Sequence, residues 1–288
     1  MVVLQSLRQA PGILRENPVI LVPFALLAVL QTPQLFFDSL DPIVSALVSV
    51  LFAGVLLFVT PAIYAGAIGM TNEAAGDERT SIGRFRRDAR ENYVSVLIAY
   101  LFITGVTLGV VIAVVLAAVV GAVAFGVAGG GTPLLVVGVG ALALVGLAFL
   151  IALFAVHFYA HAIVIEGEGA VSGLVRSVSV VRGNLRPVAG YALVSLVFGG
   201  ALGGGYTLVI AAVFPSAPAP GEPAPLPDLV PAVLGSSGVV IGTTVFGAFF
   251  LAFSVVFYRE LVDAGSREAA VTGGPVDDFG AGAAEVGR

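Results

Sequence analysis

Charge is what this chain has least of. Only 11% of its 288 residues are Asp, Glu, Lys or Arg, against about a quarter in soluble domains, while 58% are hydrophobic. Such a surface does not face water over most of its area. Residues 17–37, 42–72, 92–165, 187–221 and 229–258 carry no formal charge at all, and about 20 such residues suffice to cross a bilayer. Cysteine is absent, which excludes disulfides, cysteine zinc sites and thiolate catalysis. Lysine is absent too, so all 13 basic residues are Arg. That bias points to a high-GC genome and a salt-adapted, archaeal-like source. With a net charge of −5, no nucleic-acid partner is expected.

What is present divides into six apolar spans. Residues 1–17 place Leu4, Leu7, Pro11 and Leu14 on one face and Gln5, Arg8 and Gln9 on another, the pattern of an interfacial helix. The opening lacks a compact basic segment and a cleavage site, so no removable signal peptide is expected. Asn17-Pro18 and Asp41-Pro42 each read as an N-cap followed by proline at the first helical position. Spans 1 and 2 are therefore expected over about 18–37 and 42–70.

The 74 residues from Asn92 to Ile165 are too long for one crossing of about 30 Å. Gly129-Gly-Gly-Thr-Pro133 is the natural break, giving spans 3 and 4 over about 93–127 and 133–163. Span 5 follows over about 187–214. A stretch with seven prolines in 215–231 favours an extended loop, and span 6 covers about 239–261. The membrane domain is thus 1–264, and the acidic, Gly/Ala-rich tail 265–288 is expected to be disordered. The fold class is all-α and polytopic, with short interfacial helices.

Orientation follows from arginine. Arg8 and Arg15 precede span 1; five lie between spans 2 and 3, three between spans 4 and 5, and three after span 6. All fall on one side, so the positive-inside rule makes this a multi-pass cell-membrane protein with both termini cytoplasmic. Arg15-Glu-Asn17, Arg90-Glu-Asn92 and Arg182-Gly-Asn184 each stand just before a span, which suggests a threefold repeat of surface helix, span, loop and span.

One connector has more character than the rest. Ile163-Val-Ile-Glu-Gly-Glu-Gly, then Val175-Arg-Ser177 and Val181-Arg-Gly183, resembles a pattern in the multi-span membrane domain associated with glycerophosphodiester phosphodiesterases. Related uncharacterised six-span proteins share it. The resemblance is close over roughly 25 residues and loose over the six-span layout. It implies a helical membrane domain of unknown biochemical role, without the phosphodiesterase catalytic barrel, for which no soluble stretch remains.

The residues that carry chemistry are few. His157 and His161 share a face at i, i+4, but a zinc site needs three or four ligands, and Glu166 or Glu168 would join only if the chain folded back. The plainer reading is an interfacial belt with Tyr159. Gly235-Ser-Ser-Gly238 matches the pattern of rhomboid serine proteases, yet Ser237 is placed at the opposite end of the membrane from both histidines. No catalytic, metal or cofactor-binding residue is therefore expected. Arg176, Arg182 and Arg186 are candidates for anionic lipid head groups. Gly105-xxx-Gly109 in span 3 and Ser195-xxx-Gly199-xxx-Gly203 in span 5 permit close helix approach. Packing within the chain is the expected use, a homo-oligomer or membrane-protein partner the alternative.

No ionisable group lies mid-span for a proton or ion relay. The sequence points to a non-enzymatic structural, assembly or lipid-interacting component. The alternative is a transporter or permease-like component for an apolar or lipidic solute. A polar cavity lined by Thr104, Thr107, Ser195 or Tyr206 would favour that alternative.

Overall fold

The computed structural model describes residues 2–127, 132–213 and 229–272. Among them the regular structure is entirely helical, as a bilayer requires of a chain that must satisfy its backbone polar groups internally. Nine α-helices follow in order: α1 Val2–Glu16, α2 Leu21–Gln31, α3 Pro42–Ala74, α4 Ile82–Val127, α5 Thr132–Ala155, α6 Tyr159–Glu166, α7 Ala170–Gly183, α8 Leu185–Val213 and α9 Leu229–Thr272. Six segments are long and apolar enough to cross a membrane: Pro18–Phe37, Pro42–Ala74, Ile82–Val123, Val136–Glu166, Leu185–Val213 and Leu229–Ser266. Their outer faces show what such a crossing needs. Val50, Leu51, Leu196 and Leu208 are each more than 70% exposed, positions that water would penalise and acyl chains would not.

Local chemistry explains some helix ends. Asp41 caps α3 as expected, its Oδ1 accepting from Ile43 N–H at 3.0 Å and Val44 N–H at 3.4 Å. Asn17 does not cap span 1. Its Oδ1 accepts instead from Thr80 N–H at 3.0 Å, tying the start of span 1 to the loop between α3 and α4. The Asn-Pro pair was readable; the competing long-range donor was not. Gly167 ends α6 in the left-handed region at φ 76°, where a glycine meets no Cβ penalty.

Three expected boundaries move. α4 runs unbroken from Ile82, so the second surface helix and span 3 are one rod, and Asn92 interrupts nothing. Its Nδ2 donates to Asp88 O at 3.1 Å, just as Asn184 Nδ2 donates to Val180 O at 3.0 Å. α9 continues past Gly265 to Thr272, into the stretch expected to be unstructured. α9 also begins at Leu229, so residues 229–231 of the expected loop are helical and span 6 starts earlier than 239. Residues 129–131 of the glycine break, 215–228 of the loop and 273–288 of the tail lie outside the described residues.

Span 4 is the broken one. Residues 156–158 leave the helix between α5 and α6, and Ser177 of α7 fills the gap. Its hydroxyl accepts from Phe158 N–H at 3.0 Å and donates to Ala155 O at 2.9 Å, satisfying two groups the break sets free. The buried side chains gather around this point. Tyr191, wholly buried, stacks on Phe257 at 4.7 Å and on Phe253 at 5.1 Å between ring centroids. On the other side Ile68, Met70, Val96 and Ile163 pack with Val255 and Leu251. Both clusters lie at the end of the bundle that bears α1, α6 and α7.

Candidate functional site: a cavity among the spans

Beside this core the spans line a partly open cavity of about 550 Å³, large enough for a sizeable organic molecule. It runs along α9 from Thr243 to Ser254, about 16 Å at 1.5 Å per residue. Phe24, Leu27, Phe198, Leu202, Phe246 and Phe250 make the walls apolar. No Asp, Glu or Arg lines it.

Polar atoms collect where span 4 breaks. His157 Nε2 lies 3.1 Å from the Tyr191 hydroxyl, with its ring stacked on Phe154 at 5.7 Å. His161 Nε2 lies 2.7 Å from Ser254 Oγ, and His161 is 5% exposed with no partner at Nδ1. Both histidines and Ser254 line the cavity, as does Ser195, whose hydroxyl donates to Tyr191 O at 2.8 Å. Tyr64, Tyr100 and Tyr159 border the same space. The result is an uncharged chamber with its histidines near the break in span 4 and with Gln31, Thr60 and Thr243 as further polar lining.

Several expectations change here. The histidines differ: His161 is buried against Ser254 of α9, whereas His157 lines the cavity beside Tyr191 of α8 but stays exposed, as an interfacial side chain would. Neither meets an acid. Glu166 accepts from the Tyr258 hydroxyl and from Arg176 Nε at 2.9 Å, and among the described residues no three of His, Asp and Glu gather as a metal site would require. Ser237 lies on α9 17 residues before Ser254, so it is about 25 Å from His161 along the helix axis. Of the expected cavity residues only Ser195 lines the cavity. Thr107 donates to its own helix at Ile103 O, 2.7 Å away, and Tyr206 is exposed.

The arginines also separate. Arg176 is paired with Glu166 at 2.9 Å, whereas Arg182 and Arg186 are exposed and make no ion pair among the described residues. Arg84 binds Asp88 at 2.5 Å, and Asp88, 3% exposed, lies directly over Gly69. Gly105, Gly109, Gly199, Gly203 and Gly204 behave otherwise: a Cβ built on any of them would meet nothing within 4 Å. The expected packing of spans 3 and 5 through these glycines is therefore not made. Close approach falls instead at Gly66 and Gly69 against α4, and at Gly247, where a Cβ would lie 2.7 Å from Phe24.

The sequence reading did not single out Tyr191, Ser254 or the capping role of Ser177. For Tyr191 and Ser254 the available signal was a polar side chain standing alone within an apolar run.

Six apolar crossing helices around an uncharged chamber define a multi-pass helical membrane protein. Residues 1–261 match the model of the family described as Domain of unknown function (DUF7847), and the chain belongs to that family. No curated protein and no solved structure matches it.

Proposed function

We propose that the protein is a non-enzymatic, lipid-interacting component of the cell membrane whose cavity holds an apolar or lipidic molecule. The observation that carries this is the wall. A chamber of about 550 Å³ with aromatic and aliphatic sides and no ionic group favours an apolar body, since an unpaired charge placed there would go uncompensated. His157, His161 and Ser254 offer a neutral polar group its hydrogen bonds. α1 and α7 lie along the membrane surface in this reading, and the arginine-bearing end with both termini faces the cytoplasm.

One observation favours a transporter or permease-like component. A Cβ built on Gly203, Gly204 or Gly205 of α8 would meet nothing within 4 Å, so the helix can flex at that point, while Tyr191 and Phe198 hold its first half against α9. The family description bears on neither reading, and the likeness to phosphodiesterase-associated domains supports no activity.

The test is photo-crosslinking in reconstituted vesicles with a long-chain alcohol carrying a diazirine and an alkyne. Label is expected on residues 195–202 and 246–254, and loss of that label in Gly199→Phe. Label confined to the outer faces, unchanged by the substitution, would sink the proposal.

A further inference from the structure

A second apolar depression, of about 570 Å³, lies away from the cavity between α4, α5 and α7. Phe102 and Val106 of α4 and Phe149 and Leu153 of α5 form its bed, and α7 contributes Ser179 and Arg182. Those two α7 residues are three apart and share a helix face. Arg182 makes no ion pair or hydrogen bond among the described residues, nor does the Ser179 hydroxyl. This distinguishes Arg182 from Arg176, held by Glu166, and from Arg186, which does not border the depression.

A free guanidinium and a hydroxyl over an apolar bed match a ligand with a phosphate at one end and hydrocarbon at the other. Arginine presents a planar fork of donors to phosphate oxygens, and its stem tolerates apolar surroundings. We propose that this depression binds one phospholipid, with an acyl chain laid between α4 and α5 and its phosphate on Arg182 and Ser179. A partner helix would have to bring its own carboxylate into the membrane to pair the guanidinium, and a neutral glyceride would leave it unused. This site is separate from the cavity and does not rest on the reading given to it.

The experiment is native mass spectrometry of the full chain in mild detergent, titrated with dioleoylphosphatidylglycerol, dioleoylglycerol or oleate. Dioleoylphosphatidylglycerol is expected to bind more tightly than either of the others. Arg182→Gln, at an exposed position, should weaken it about fivefold, the equivalent of about 1 kcal/mol for one arginine near a lipid surface. Arg186→Gln removes the same charge and should change binding less than twofold. Val106→Trp keeps every charge, fills the bed and should abolish the tight binding. Equal losses in the two arginine variants would reduce the effect to general electrostatics and overturn the site. Normal binding by Val106→Trp, or equal binding of dioleoylglycerol or oleate, would overturn it as well.

Discussion

Ser177→Ala removes a single oxygen that holds span 4 together. Its hydroxyl accepts from Phe158 N–H at 3.0 Å and donates to Ala155 O at 2.9 Å, and the residue is fully buried. Alanine fills almost the same volume, so the cost comes from two backbone groups left unpaired in an apolar setting. Each such group costs about 1–3 kcal/mol, which puts the upper range near 6 kcal/mol. Interhelical polar contacts in membranes average only about 0.6 kcal/mol, because the unfolded chain in lipid also finds partners. An intermediate loss of about 2 kcal/mol is expected.

The chain has no cysteine, so one introduced at buried Ala252 is a lone reporter. Its labelling rate, followed as sodium dodecyl sulfate is added to mixed micelles, measures unfolding. Ser172→Ala is the control, since that hydroxyl makes only a local contact with Gly169 O at 3.3 Å and should cost less than about 0.5 kcal/mol. If Ser177→Ala unfolded within 0.5 kcal/mol of the parent, as the handful of tenths expected for a surface change, the capping of the break would carry no weight. The placement of His157 and His161 would then need another cause.

Other substitutions probe the packing and the caps. Gly69→Leu drives a side chain into the Asp88 carboxylate and should destabilise the α3–α4 pair by about 3 kcal/mol or prevent folding. Gly204→Leu points into open space, since a Cβ there meets nothing within 4 Å, and should stay within about 0.5 kcal/mol of the parent in the same assay; a large loss there would mean that the Gly204 face of α8 is packed after all. Asp41→Ala removes the acceptor of two N–H groups at the start of α3 and should cost about 1 kcal/mol, read as faster amide hydrogen exchange over Ile43 and Val44 than in the parent.

How much of this was legible beforehand depended on the range of the interaction. Charge-free length located the spans, and Asp41-Pro42 located the start of α3, because hydropathy and capping act within a few residues of chain. The stretch from Ile163 to Gly183 that resembles a family pattern is held in part by its own contacts. Gly167 makes the turn at φ 76°, Arg176 reaches back to Glu166, and Gly173 lets α7 close on Ile163.

Pairings across the chain were not legible. Asn17 finds Thr80, Ser177 finds the end of α5, and His161 finds Ser254 93 residues away. Nothing local distinguishes these donors and acceptors from others in the same runs. The glycine stripes misled for the same reason: small-residue spacing states that approach is permitted, and only the packed structure states where it occurs. Gly66, Gly69 and Gly247 are used so, whereas the more regular series on spans 3 and 5 is not.

The claim on which the account turns is that the chamber among the spans is occupied by an apolar molecule. Native mass spectrometry of the parent chain and of Gly199→Phe, both purified in mild detergent from the membranes in which they were made, addresses it directly. Gly199 lines the cavity with nothing within 4 Å of its Cβ position, so phenylalanine fills the space without disturbing a neighbour. The account predicts a stoichiometric apolar adduct on the parent that is missing from the variant. An adduct retained in full by Gly199→Phe, or a parent chain that never carries one, would contradict it.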